Sequence, residues 1–247
     1  MAARENTAEN LSHRFPTTSW TVISAAGGDS DGSAEALSKL CAAYWLPVYS
    51  YIRRKGHSRE QAEDLTQAFF ARILERRALA AAKRERGKFR SFLLASVTNF
   101  LANDWDRSQA QKRGAGIPAL SVDFEAGEAR YNYEPFHQLT PEALFERQWA
   151  VALLDRVLAR LAEEHRGKGQ GAHFERMQNF LAGDQERGSY ELLAIDLSLT
   201  NAAARTAVHR LPKRYAELVR EEVAAIVGGP EEVESEIRFL LAALERA

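Results

Sequence analysis

Apolar residues recur at intervals of three and four along most of this chain, the period of a helix with one buried face. Leu37, Leu40, Tyr44, Val48 and Ile52 mark a first helix. Pro47 should bend or divide it, since proline lacks the backbone donor and crowds the preceding turn. Gly56 is placed to end that helix, and Ser58 with Gln61 forms an S-x-x-Q capping box for the next. The second helix should bury Ala62, Leu65, Phe69 and Ile73, with Phe70 and Leu74 widening the stripe. A third is expected from near Lys88 to Arg107, with Phe89, Phe92, Leu93, Val97, Phe100, Leu101 and Trp105 as its apolar positions. Spacing makes Phe89 and Phe92 core residues and is compatible with core packing for Trp105.

Periodicity then lapses. Residues 108–139 hold glycines, two prolines and scattered aromatics, among them "RYNYEPF", and read as an extended linker longer than the loops inside a compact domain. The helical pattern resumes at "TPEALF", with Thr140 as N-cap, Pro141 at the first helical position and Glu142 favourable to the helix dipole. Leu144, Val151, Leu154, Leu158 and Leu161 carry this helix to about His165. "RGKGQG" breaks it, and "AHFERMQNFLAG" is a short helix. Beyond "GGP", Val233, Ile237, Leu240, Leu241 and Leu244 form a last amphipathic helix. No strand pattern and no internal repeat stand out. The expected fold is all-α, with two small helical domains over residues 34–107 and 140–227 joined by the linker 108–139. An N-terminal extension covers 1–33 and a C-terminal helical extension covers 228–247.

Composition narrows the class. The 247 residues are 45 % hydrophobic and 27 % charged, ordinary for a globular protein. No apolar run approaches the roughly 20 residues of a membrane span, and the polar start has no secretory core, so the expected compartment is the cytoplasm. Cys41 is the only cysteine, which rules out an intramolecular disulfide and a cysteine-based zinc site. The six histidines are dispersed, and no metal, phosphate-loop or nucleophile-elbow pattern occurs. The chain is therefore read as no enzyme, with no metal and no cofactor.

Charge is balanced overall and uneven locally. The formal net charge is −1, yet "KRERGKFR" sets five basic residues against Glu85. Between Thr200 and Tyr215 stand Arg205, Arg210, Lys213 and Arg214, with no acid. The stretch "SYELLAIDLSLTNAAARTAVHR" has the form of a helix-turn-helix, though such a pair can also be plain helix packing. Ser189 would cap its first helix, Leu192, Leu193 and Leu197 would face inward, and Thr200 would cap the second. Ala204 and Val208 would pack inward, leaving Asn201, Arg205, Thr206, His209 and Arg210 outward, where forked side chains reach base edges.

Two further stretches carry a family resemblance. "GHSREQAEDLTQAFFARILE" resembles region 2 of bacterial RNA polymerase sigma factors, especially the extracytoplasmic-function type, and "GKFRSFLLASVTNFLANDWDR" resembles the helix that follows it there. The helix-turn-helix stretch, continued by "HRLPKRYAELVREE", resembles their region 4. The ordered set covers about residues 34 to 227. The resemblance implies that Glu63, Asp64 and Gln67 dock on a basic coiled coil of core RNA polymerase. It implies that Lys88, Arg90, Asn99, Asn103, Arg107 and Trp105 open promoter DNA and hold the minus-ten element, with Asp104 among the polar positions. It implies that Asn201, Arg205, Thr206, His209, Arg210, Lys213 and Arg214 read the minus-thirty-five element as duplex. Core RNA polymerase and promoter DNA are the implied partners, with an anti-sigma protein or a regulatory kinase as candidate controllers. A factor working inside a holoenzyme has no need of net positive charge, since the core supplies much of the electrostatic grip.

Three features depart from that pattern. Pro212 falls inside the recognition helix, where it is expected to kink the chain beyond the DNA-reading turns. "EEHRGKGQGAHF" lengthens a connection, and the helix from Glu231 to Glu245 lies past the usual end. That helix is expected to fold back on the preceding domain or to bind a regulatory partner. The alternative function is a stand-alone helix-turn-helix regulator, which would grip duplex DNA without polymerase.

Overall fold

The protein, seen in a computed structural model, is described over residues 33–75, 88–108, 122–133, 138–182 and 189–246, without the side chains of 33–40, 74–75, 103–108, 133, 182 and 189. All regular structure among these residues is helical. In chain order it comprises α1 (Ser33–Arg54), α2 (Arg59–Glu75), α3 (Phe89–Ser108), α4 (Phe124–Tyr133), α5 (Pro141–Gly167), α6 (Gly171–Met177), α7 (Ser189–Asp196), α8 (Asn201–Ala224) and α9 (Val233–Glu245). Short 3-10 turns cover Gln178–Ala182 and Pro230–Glu232. The N-terminal "HRFPTTSW" and most of "KRERGKFR" lie outside the described residues.

Helix boundaries follow local chemistry. Ser58 and Gln61 form the reciprocal capping box, the Ser58 N–H donating to Gln61 Oε1 at 3.1 Å and the Gln61 N–H to Ser58 Oγ at 3.3 Å. Thr140 caps α5, its hydroxyl accepting from the Ala143 N–H at 3.2 Å, with Pro141 in the first turn. The far end of α5 closes on Gly169 at φ 70°, with the Gln170 N–H donating to the His165 carbonyl at 2.8 Å. Helix α1 runs on through Pro47 without division.

Helix α5 is the centre of the molecule. It packs most extensively on α1 and also meets α6, α8 and α9. Its buried line is Phe145, Trp149, Leu153, Val157 and Leu161, with Leu144, Gln148 and Ala150 beside it. The expected line differs: Val151, Leu154 and Leu158 are only half-buried. A helix touched on several sides carries apolar residues on more than one line, so spacing alone does not fix which line lies deepest. Tyr44, Tyr49, Tyr51, Phe69, Phe70 and Phe89 from α1, α2 and α3 join Phe145 and Trp149 among the fully buried rings. The core therefore runs continuously from α1–α3 into α5 and α8.

The stretch expected as an extended linker contains α4, which lies against α1. Gly127 faces Trp45 so closely that any Cβ there would overlap the indole, and the Phe124 ring sits edge-on to Trp45 at 5.2 Å. Glu128 locks the contact. It accepts from Arg53 Nε at 2.9 Å and Nη2 at 2.8 Å, and from the Tyr49 hydroxyl at 2.5 Å. Tertiary contact makes this helix, which explains its weak sequence pattern.

Helix α9 folds back on α5 and α8, burying Glu236, Leu240 and Ala243. Val233, Ile237 and Leu244 are partly covered, whereas Leu241, expected in the same stripe, is 53 % exposed.

Candidate polymerase and nucleic-acid interfaces

Helix α2 is strongly two-sided. Ala62, Phe69, Phe70 and Ile73 are buried, and Thr66 is buried with its hydroxyl donating to the Ala62 carbonyl at 2.6 Å. Leu65 is half-buried against the same core. The opposite side carries Glu60 and Asp64, both exposed, with Glu63 and Gln67 half-exposed beside them. Glu63 accepts from Arg59 Nε at 2.8 Å across one helical turn. A row of acids on a rigid, capped helix can steer and orient a cationic partner.

Helix α3 divides along its length. At its start, Lys88 and Arg90 are already engaged. The Lys88 ammonium is 2.7 Å from Glu236 Oε2, Arg90 Nε is 3.1 Å from Glu236 Oε1, and Arg90 Nη1 is 3.3 Å from Glu146 Oε1. The Arg90 guanidinium also lies 3.7 Å from the Phe239 ring centroid, and the residue is only 6 % exposed. In this arrangement Arg90 cannot reach DNA, contrary to expectation, because two carboxylates and a ring surround it. Its partners are 56 and 146 residues away in sequence, so no local pattern announces them.

Further along α3, Ser91, Ala95, Thr98, Asn99 and Ala102 form an exposed, small and polar surface. Asn99 thus sits on an open face, while Phe89 is buried and Phe92 partly buried, as expected of core. Asn103, Asp104, Trp105 and Arg107 lie on the last turns, and their side chains fall outside the described residues.

Helices α7 and α8 form the expected helical pair. The turn between them closes α7 with two backbone bonds: Leu199 N–H to the Ala194 carbonyl at 2.9 Å and Ser198 N–H to the Ile195 carbonyl at 3.1 Å. Ser198 is left-handed at φ 54°, a conformation that glycine adopts more readily. The Thr200 hydroxyl caps α8 by accepting from the Ala203 N–H at 3.2 Å. Leu193, Ala194, Leu197, Ala204 and Val208 are buried and Leu199 half-buried. Leu192, expected inward, is 67 % exposed, and Ile195 one turn on is 74 % exposed. The ridge of α7 that meets α8 runs through 193, 194 and 197, which turns 192 and 195 to solvent.

On α8 the side chains of Asn201, Arg205, Thr206, His209, Arg210 and Lys213 are all exposed along the first turns. The Arg205 guanidinium sits 5.8 Å from the Tyr190 ring centroid, a contact that limits its freedom. Arg214 differs from them. It pairs with Glu164 at 2.6 Å, Glu217 at 3.2 Å and Glu221 at 3.3 Å. The Arg214 guanidinium holds the Glu164 carboxyl below the usual carboxylate range. Arg214 thus fastens α8 to α5 instead of facing a ligand. The helix continues through Pro212, which is exposed.

Other chemistry is sparse. Burial pushes the Cys41 thiol up to about 12, so it is no nucleophile at neutral pH. Among the described residues, no three His, Cys, Asp or Glu side chains are placed to hold a metal ion, and no helix is long and apolar enough to cross a membrane.

Residues 40–111 match the family model for sigma-70 region 2, less than a third of the chain. The matched segment takes in most of α1 and the whole of α2 and α3, and so includes both the acidic face and the small polar face. The family described by that domain is one of non-catalytic transcription initiation factors. No curated protein and no solved structure matches the chain.

Proposed function

We propose that the chain is a sigma factor of the extracytoplasmic-function type, which binds core RNA polymerase in the cytoplasm and directs it to promoters. The observation that carries this reading is the sigma-70 region 2 match over the segment whose α2 exposes Asp64 and Glu60 opposite a buried face. Glu63, Asp64 and Gln67 meet a cationic surface of the core enzyme, where paired charges set orientation and encounter rate more than bulk affinity. The open face of α3 around Asn99 receives the separated minus-ten strand, and Asn103, Trp105 and Arg107, on the last turns of the same helix, are assigned to the same strand. There backbone contacts and stacking serve better than duplex readout. Asn201, Arg205, Thr206, His209, Arg210 and Lys213 on α8 read the minus-thirty-five duplex through the major groove. An anti-sigma protein or a regulatory kinase is the expected source of control.

Run-off transcription on fragments of the source genome tests this, using purified core polymerase with and without the protein. New transcripts starting downstream of a shared two-part motif are the expected result. Absence of core binding, with tight binding of the free protein to duplex DNA, would return the stand-alone helix-turn-helix regulator in its place.

A further inference from the structure

The start of α3, the first half of α9 and the start of α5 meet in a cluster of alternating charge, which Arg246 joins from just past the end of α9. Glu236 of α9 is 1 % exposed, and its two oxygens take Lys88 and Arg90 separately, at 2.7 and 3.1 Å. Glu146 of α5 takes Arg90 at 3.3 Å on one oxygen and Arg246 at 2.7 Å on the other. The Phe239 ring lies near both guanidinium groups, its centroid 3.7 Å from Arg90 and 5.7 Å from Arg246. Arg147 donates to the Leu244 carbonyl and ties the end of α9 to α5.

A carboxylate buried against a lysine and an arginine neutralises the cations that a phosphodiester would otherwise meet, here by a hydrogen bond from Arg90 and an ion pair with Lys88. Burying it incurs a desolvation cost that a hydrophobic residue would avoid, and a retained buried ion pair is best attested as a register or switch device. The sequence offers "KRERGKFR" as its densest basic run, and the last two cations of that run are the ones α9 covers. We infer that α9 is an intramolecular latch, in which Glu236 stands in for nucleic-acid phosphate at Lys88 and Arg90. Latch closure and phosphate binding at the head of α3 then exclude one another. The inference rests on the proposed function only in taking the α3 side of the molecule as its nucleic-acid side.

The test is fluorescence anisotropy of a labelled, mixed-sequence single-stranded oligonucleotide titrated with the full-length protein over a range of salt. Glu236→Gln keeps the shape of the side chain and removes the charge. Phe239→Ala loosens the same latch without altering any charge, and it serves if the first variant fails to fold. Both should bind more tightly than the wild type. For two newly freed cations the salt slope should steepen by about 1.4 for a single strand, so between 50 and 200 mM salt the variant should lose roughly sevenfold more affinity than the wild type. Adding Lys88→Ala to Glu236→Gln should return about half of that gain. The latch is rejected if folded Glu236→Gln and Phe239→Ala bind with wild-type affinity and slope, or if the gain survives loss of both Lys88 and Arg90. Core polymerase binding measured on the same wild-type protein judges the sigma-factor reading separately, since its failure leaves the oligonucleotide comparison standing.

Discussion

The ring of Tyr44 lies flat against that of Trp149, with 4.2 Å between centroids and 11° between planes, and neither residue is more than 1 % exposed. One ring belongs to α1 and the other to α5, so the stack joins the N-terminal helices to the helix that organises the C-terminal ones. Phe89 of α3 completes the group, 5.4 Å from Tyr44 and 6.1 Å from Trp149.

A shared core of this kind predicts shared stability. Trp149→Ala should cost about 3–5 kcal/mol, the usual penalty for removing a large buried ring. Urea unfolding of the wild type, followed by far-ultraviolet circular dichroism and by tryptophan fluorescence, should give one coincident transition. Two separated transitions would show that the halves are energetically independent despite the stack.

The Glu128 contact predicts a response to acid. The Arg53 guanidinium holds the Glu128 carboxyl below the usual carboxylate range, with the Tyr49 hydroxyl and Asn132 helping. Its folded pKa is depressed, so its contribution is fully present above the unfolded value, near 4.3, and is lost as pH falls through the lower folded value. Glu164, held down by Arg214, acts in the same direction. Glu128→Gln should cost about 1–3 kcal/mol at neutral pH. Its stability should then fall less than that of the wild type between pH 5 and pH 3. Urea midpoints at the two pH values measure this directly, and equal losses would remove Glu128 from the acid response.

Ser198 predicts a gain. Its φ of 54° lies where a Cβ is crowded, and the bonds from Ser198 and Leu199 back to α7 fix it there. Ser198→Gly should raise stability by up to about 1 kcal/mol, whereas Ser198→Val should lower it by more, since β-branching worsens the same crowding. Thermal unfolding of the two variants should move in opposite directions.

Local devices in this molecule were readable from sequence because their partners are near. The Ser58–Gln61 box and the Thr140 and Thr200 caps each close within three residues. The buried stripe of α2 was readable because one side only is covered. Helix α4 was not, since Gly127 is a poor helix former and the helix is held by Glu128 reaching Arg53, 75 positions away. The deepest line of α5 was hidden by its contacts on several sides. At the interfaces, spacing found the exposed residues of α8, but it could not foresee that Arg90 and Arg214 would be consumed by carboxylates of other helices.

The polymerase and promoter assignments separate cleanly in a pair of charge variants. Asp64 is exposed on α2, away from the buried Ala62 and Phe69, so Asp64→Arg should leave the fold intact. It places a cation where a cationic partner is expected to dock, and like charges in contact cost several kcal/mol, enough to abolish core binding. Arg205 stands exposed on α8 beside Tyr190. Arg205→Ala should weaken promoter use by about 1–3 kcal/mol, the range for losing one base-reading side chain, with core binding unchanged. Core binding by gel filtration and promoter output by run-off transcription read the two effects independently. Normal output from both variants would sink the assignments. Loss of core binding in Arg205→Ala, with helicity intact, would mean that α8 faces the polymerase instead of DNA.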